Sequence, residues 1–263
     1  MSHRPRKRFG QHFLHDPNVI GRIIAAVNPQ PDDVLVEIGP GTGAITRPLL
    51  ERNGSLIVVE LDRDLAARMR DELGPSGLRV IETDALRHDF RLTSKEAGRP
   101  IRLVGNLPYN ISTPLLFHLL DGFEAIVDMH IMVQKEVAER LIATPNSKAY
   151  GRLGVMVAAR AKAVKLFDVG PGAFSPPPKV DSSVVRLLPL DKPRVPPHEL
   201  GHFANTVRDA FTMRRKTLRR IFANRIDAQA IEACGISPSA RAETLEVEGF
   251  LALSRAILAA HSS

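Results

Sequence analysis

Apolar positions along the chain follow two alternating rhythms. Val19, Ile20, Ile23, Ile24 and Val27 recur at helical spacing behind Asp16-Pro17, an acceptor and a proline suited to the N-cap and first turn of a helix. Beyond them, short apolar runs at 34–38, 56–60, 78–81, 101–104 and 126–133 predict strands. Helical patterns at 44–52, 61–73 and 134–143 alternate with them. Apolar runs without a polar face, alternating with helices, predict a parallel sheet covered on both sides. After Pro171 the character changes. Phe174-Ser175-Pro176-Pro177-Pro178-Lys179 suits neither helix interior nor central strand, and 183–188 reads as a last strand. The proline-rich stretch 189–197 reads as a linker, and 199–260 carries helical patterns only. The expected organisation is an α/β domain over 1–190, opening on a basic segment at 1–15, then a small all-helical domain over 198–263.

The charge distribution sharpens this picture. Of 36 basic and 29 acidic residues, 1–8 hold four basic and no acidic ones, 9–190 hold 21 of each, and 191–263 hold 11 and eight. The surplus sits on the flanks of a neutral body, as expected of an enzyme whose ends grip a polyanion. Cys234 is the only cysteine, so an intrachain disulfide and a cysteine-based zinc site are excluded, and no metal is expected. No apolar run approaches the ~20 residues of a membrane span, and the start lacks a secretory h-region. A cytoplasmic protein is the expectation.

Candidate chemistry lies where strands end. Glu37-Ile38-Gly39-Pro40-Gly41-Thr42-Gly43 follows the first parallel strand, where glycines let backbone approach a ligand beside a helix N-terminus. Its third glycine comes one residue too early for the dinucleotide pattern, and an acid precedes the loop. That suits a cationic amino-acid group better than a pyrophosphate. Glu60, ending the second strand, is placed to accept both hydroxyls of a ribose. Asp84, after the third, is a candidate acceptor for an adenine amino group or a cap for the next helix. Together these acceptors describe a nucleoside with a cationic amino-acid end, which points to S-adenosylmethionine.

The fourth strand ends in Gly105-Asn106-Leu107-Pro108-Tyr109. This resembles the Asn-(Pro/Leu)-Pro-Tyr signature of methyltransferases acting on exocyclic amines of bases. An adenine N6 is a poor nucleophile because its lone pair is delocalised into the ring. The Asn106 side-chain oxygen and the Leu107 carbonyl would accept its two hydrogens and favour a tetrahedral nitrogen. Pro108 would shape the turn, and Tyr109 would stack on the extruded base. Phe174 is a candidate second stacking face; the alternative for it is a buried aromatic anchoring the proline-rich turn.

The ordered set of motifs is similar to that of the ribosomal RNA adenine dimethylase family over nearly the whole chain. The strings are Lys7-Arg8-Phe9-Gly10-Gln11-His12-Phe13-Leu14, the glycine loop, Glu60-Leu61-Asp62, Asp84-Ala85, Asn106 to Tyr109, Phe174 to Val180 with Asp181-Ser182-Ser183, and Arg214-Arg215-Lys216-Thr217-Leu218. The resemblance implies a Rossmann-like class I methyltransferase sheet of seven strands, the last antiparallel, plus a small helical C-terminal domain. It implies cofactor contacts at His12, Leu14, Gly39, Gly41, Glu60, Asp84 and Asn106. Members often have Asn where this chain has His12. The implied activity is N6,N6-dimethylation of two adjacent adenosines in the 3′-terminal hairpin loop of 16S rRNA, within the small ribosomal subunit.

Arg214, Arg215, Lys216, Arg219 and Arg220 fall within seven residues, expected on a helix with Leu218 and Ile221 on its buried side. They are candidate contacts to RNA phosphates, or a solvated helix face. Two other functions stay in view: a large-subunit rRNA dimethylase of the macrolide-resistance type, and a mainly non-catalytic assembly factor of the small subunit. A monomer is expected, since one RNA loop presents one site.

Overall fold

The structure, a computed structural model, describes residues 12–213 and 215–261. The basic start of the chain and Arg214 lie outside the described residues. The chain forms two compact units. The first runs to Ala138 and resumes at Ala163–Pro189; the second comprises Glu139–Lys162 and the residues from Leu190 on.

The first unit opens with β1 (Phe13–Leu14) and α1 (Pro17–Val27). Asp16 caps α1 through its side chain, accepting from the N–H groups of Asn18 and Val19, with Pro17 in the first turn. There follow β2 (Val34–Ile38), α2 (Thr46–Asn53), β3 (Leu56–Glu60), α3 (Arg63–Leu73), β4 (Leu78–Glu82) and α4 (Phe90–Ala97). Then come β5 (Ile101–Asn106), α5 (Ser112–Leu120), β6 (Ile126–Gln134) and α6 (Lys135–Ile142). After α7 (Arg152–Ala158), the unit is completed by β7 (Ala161–Val169), β8 (Phe174–Ser175) and β9 (Ser182–Pro189).

Seven strands form one sheet in the order β4-β3-β2-β5-β6-β9-β7. The first five pair in parallel, and β9 runs antiparallel to β6. This is the seven-stranded arrangement the resemblance implied. The chain winds outward from β2 through β3 to β4, then returns to the other side of β2 as β5. The strand order therefore reverses between β2 and β5, where open α/β sheets bind ligands at the carboxyl ends of their strands. Residues such as Leu35, Val36, Val58, Leu103 and Ile131 are wholly buried in the sheet, which is why these strands read as continuous apolar runs. Separately, β1 and β8 pair antiparallel, with Phe13 opposite Ser175 and Leu14 opposite Phe174.

The second unit holds α7, α8 (Leu200–Thr212), α9 (Leu218–Ile221), α10 (Ala228–Ala233) and α11 (Val247–His261). Phe203, Phe222 and Phe250 are buried in it, and the buried Tyr150 hydroxyl donates to the Leu245 carbonyl at 2.6 Å. Among the described residues no helix is long and apolar enough to cross a membrane.

Candidate active site

A cavity opens at the carboxyl ends of β2, β3, β4 and β5. His12, Leu14, Gly39, Gly41, Glu60, Asp84, Asn106, Leu107, Pro108 and Tyr109 all line it. Ten of the residues singled out in the sequence, spread over almost a hundred positions, thus meet in one place.

The glycine loop makes room for a ligand by its backbone. Gly39, Gly41 and Gly43 all have positive φ, which L side chains rarely adopt. At Gly41 there is a second constraint: a Cβ there would lie 3.0 Å from the Phe13 ring. The loop can therefore wrap the cavity only if position 41 lacks a side chain. Gly105 plays a similar part at the end of β5, where a Cβ would come within 2.6 Å of the Ile38 carbonyl oxygen. Its absence lets β5 deliver Asn106 close against β2.

The acids are arranged unequally. Glu60 is buried, and its carboxylate is aimed by backbone: Oε1 accepts from the Asp62 N–H at 2.8 Å, Oε2 from the Gly41 N–H at 3.4 Å. Each oxygen keeps a lone pair for a hydroxyl. Burial pushes its pKa up, and the backbone donors of Asp62 and Gly41 oppose that. Glu37 is more extreme. It is 2% exposed, and among the described residues its Oε2 has no hydrogen-bond partner. Burial pushes its pKa up to about 8, with the Glu60 carboxylate pushing the same way. Asp84 spends Oδ1 on the Leu86 N–H at 2.9 Å, closing a turn and not capping a helix, which leaves Oδ2 for a ligand.

A buried carboxyl with one unpartnered oxygen, a pre-aimed carboxylate and a loop of exposed backbone fit a ligand carrying both a cation and vicinal hydroxyls. An orphaned buried acceptor costs roughly 1–3 kcal/mol until something donates to it. The donor set fits S-adenosylmethionine: Glu37 suits its cationic end and Glu60 its ribose. Leu61 lines the same cavity and is 48% exposed. Its only sequence signal is its place directly after Glu60 at the strand end.

Asn106 is held by a distant part of the chain. Its Nδ2 donates to the His12 carbonyl at 3.1 Å. A carbonyl only accepts, so the amide nitrogen faces His12 and Oδ1 is left for a donor. The Leu107 side chain is buried, while its N–H bonds to the Met132 carbonyl at 3.0 Å, pinning the turn to β6. The Tyr109 hydroxyl and the Ser182 Oγ are 2.6 Å apart, and burial raises the Tyr109 pKa. The ring beside Tyr109 is that of His12, 5.3 Å between centroids and tilted by 30°. The His12 Nδ1 donates to the Pro176 carbonyl at 2.8 Å.

Phe174 departs from the expectation of a second stacking face. It is 2% exposed, packed in the core with Leu14, Ile23 and Val184, and does not line the cavity. Its backbone sits in β8 opposite Leu14, which turns the ring into the core. The basic cluster also departs from its expected helix. Arg215 and Lys216 lie in a turn, because Thr217 is extended (φ −74°, ψ 156°) and α9 begins only at Leu218. Arg219 and Arg220 are on that helix, and all four side chains are exposed. Leu218 is buried, whereas Ile221 is only partly so.

Against the expectation of no metal, the chain holds His198-Glu199-Leu200-Gly201-His202, the H-E-x-x-H pattern of zinc sites. That pattern works when both histidines share one helix face. Here His198 sits in a 3-10 turn ahead of α8 and is highly exposed, and both Glu199 oxygens accept from Arg255, at 2.7 and 2.8 Å. Among the described residues no group of three or more potential ligands could hold a metal.

A mostly parallel sheet in this order, with one antiparallel strand and a ligand cavity at its switch point, defines a class I methyltransferase fold. The likeness is concrete in two solved structures. A dimethyladenosine transferase from Plasmodium falciparum superposes with a TM-score of 0.77 at 27% identity, covering 92% of this chain and 96% of that one. The 23S rRNA methyltransferase ErmE gives 0.70 at 26% identity, covering 93% and 99%. A model of the ribosomal RNA adenine dimethylase family matches residues 2–258, and the chain belongs to that family. It is 53% identical over 251 residues to the ribosomal RNA small subunit methyltransferase A of Alcanivorax borkumensis, covering 95% of this chain and 89% of the relative. To the protein of the same name from Bordetella bronchiseptica it is 49% identical over 259 residues, covering 98% and 96%.

Proposed function

We propose that the protein is an S-adenosylmethionine-dependent dimethylase of two adjacent adenosines in the 3′-terminal hairpin loop of 16S rRNA, acting on the small ribosomal subunit in the cytoplasm as a monomer. The observation that carries the reading is the pinned amide of Asn106, whose Oδ1 is left to accept from a substrate amine in a cavity that also holds Glu37 and Glu60. The cofactor, when bound, supplies the methyl group. The chain supplies the arrangement. Glu37, Glu60, Asp84 and the glycine loop hold and orient the donor, with His12 and Leu14 closing over it. Asn106 Oδ1 and the Leu107 carbonyl accept the two N6 hydrogens, turning the nitrogen lone pair toward the methyl group. Tyr109 stacks on the base, a contact worth ~1–3 kcal/mol. The nitrogen becomes acidic as it gains the methyl, so no strong base is required. Catalysis is positioning and electrostatics.

The name carried by relatives about half identical over nearly the full chain favours small-subunit RNA over the large-subunit substrate named for ErmE. The exposed Arg215, Lys216 and Arg219, with Arg214, would contact RNA phosphates. Neutralising them weakens particle binding and flattens its salt dependence, by a slope of roughly 0.7–0.9 per lost contact. An unchanged slope in a salt titration removes that assignment.

The reaction is tested with small subunits from cells lacking the mark, purified protein and S-adenosylmethionine, with large subunits in parallel. N6,N6-dimethyladenosine in digested small-subunit RNA, quantified by mass spectrometry, is the expected product. Product in large-subunit RNA alone moves the protein to the resistance-type branch. Particle binding without product leaves an assembly factor.

A further inference from the structure

The motif at 105–109 explains what Asn106 and Tyr109 are for, but not what holds the tyrosine ring in place. Tyr109 follows a strand end, in a turn, where a side chain free at its tip would sample several rotamers. Two features restrict it, and both come from parts of the chain far away in sequence. At its tip, the Tyr109 hydroxyl and the Ser182 Oγ are 2.6 Å apart across a separation of 73 residues. On its face lies the His12 ring, itself anchored by Nδ1 to the Pro176 carbonyl.

The Ser182 contact is the more telling of the two. Ser182 is wholly buried, and it opens β9 opposite Gln134 of β6, so its backbone is fixed by the sheet. A serine at a strand start has no structural need to be a serine at zero exposure; a buried hydroxyl is tolerated when it is bonded. Its partner is the phenol of Tyr109. The pair is therefore a link between a rigid sheet position and the surface on which a base would stack.

We propose that Ser182 is a positioning residue for the methyl-transfer reaction, locking the Tyr109 ring by its hydroxyl so that the stacking face is set before the adenine arrives. This rests on the dimethylase reading above. Ser182 itself touches neither base nor methyl group. Pre-setting the ring removes an ordering cost at the moment the base enters, so its loss falls on the rate of the bound complex more than on particle affinity, which phosphate contacts dominate.

The test is a double-mutant cycle of Ser182→Ala and Tyr109→Phe on unmethylated small subunits. Each variant removes the same hydrogen bond from a different end, and Tyr109→Phe keeps the stacking ring. Each single variant is expected to lower kcat by about 3- to 10-fold, with KM for the particle changed less than twofold. Cofactor affinity, measured by calorimetry without RNA, is expected to stay at the wild-type value. The double variant is expected to match the singles. If the losses multiply, or if Ser182→Ala leaves kcat intact, the proposal is overturned. If Ser182→Ala proves unstable in thermal melting, Tyr109→Phe alone decides: full kcat in that variant refutes the link. An inactive wild-type protein would instead refute the dimethylase reading, so the two failures are distinguishable.

Discussion

The two ends of the parallel strands treat charge in opposite ways. At the amino ends, Arg102 near the start of β5 uses its whole guanidinium. Nε and Nη2 make a two-pronged contact with Asp128 of β6 at 2.9 and 3.0 Å, Nη1 reaches Asp33 just before β2, and Nη2 also donates to the Val27 carbonyl at 2.7 Å. Arg186 of β9 adds a further bond to Asp128 at 3.0 Å. Burial works against ionisation of Asp128, but the bonds from Arg102 outweigh it and hold the carboxyl below its usual range. At the carboxyl ends, Glu37 is equally buried, and among the described residues no cation offsets its burial. One end is electrostatically complete within the chain; the other is complete only with a ligand. The same fold thus separates charge satisfied within the chain from a buried acid, protonated up to about pH 8, that a cationic ligand would ionise.

Breaking each end in turn gives opposite phenotypes. The largest effect is expected from Asn106→Ala at the open end. Methyl transfer should fall at least ~100-fold, as when a pre-set polar contact to a transition state is removed, while thermal stability and particle binding stay near wild type. Retained activity would end the assignment of Asn106 as the amine acceptor. Arg102→Leu at the closed end should do the reverse. It removes the two-pronged partner of the buried Asp128, which keeps only its single bond from Arg186, and costs about 3 kcal/mol in denaturant unfolding, with turnover per folded molecule unaltered. A loss of turnover at full stability would mean that the two ends are coupled.

Two pH experiments sharpen the contrast. Glu37 stays protonated in the folded chain up to about pH 8 but ionises near 4.5 when unfolded. The folded state then binds the extra proton, so stability of the ligand-free protein falls as pH rises from about 4.5 to 8. Glu37→Gln should flatten that slope and raise the melting temperature at pH 8, while weakening cofactor binding in calorimetry. An unchanged slope would show that Glu37 has a partner in solution. His130, buried in β6 at the closed side of the sheet, behaves inversely. Burial holds its pKa down to about 4, against the pull of Asp128, so the stability it contributes is lost as pH falls from 6.5 toward 4. This is the smaller of the two pH effects, at most about 3 kcal/mol, and His130→Phe should remove it.

Much of this was legible in the sequence, and what was not has definite causes. The bounds of β2 and β3 matched their expected runs to the residue, because strands buried on both faces read as near-continuous apolar runs, each here with a single acid. The acids and glycines at strand ends were legible because local spacing alone places them. By contrast, Ala161–Val169 was not foreseen as a strand: its lysines, aspartate and apolar residues follow no clean period, as befits the edge of the sheet. The two-residue strands β1 and β8 exist only through each other, so neither has a local signature. Phe174 falls on the second of its two readings, a buried aromatic beside the proline-rich turn, for that reason. Whether an aromatic before a proline-rich loop faces a cavity or a core depends on its pairing with Leu14, 160 residues earlier. Ser182 was visible as a letter in a motif, but its partner lies in another one.

The pairing of β1 with β8 also sets a schedule. His12 meets Pro176 across 164 residues, and the Tyr109 hydroxyl waits for Ser182. At a synthesis rate of ~5–20 residues per second, the segment holding β1 emerges roughly 10–30 s before the loop and strand that complete the cavity. A nascent chain can build β2 to β5 in that interval, with the glycine loop and Asn106 already formed, yet its site stays open. If the proposed function holds, an enzyme that modifies ribosomal RNA cannot begin while most of it is still being made, and a chain truncated before residue 182 would carry the motifs without the means to hold them in place.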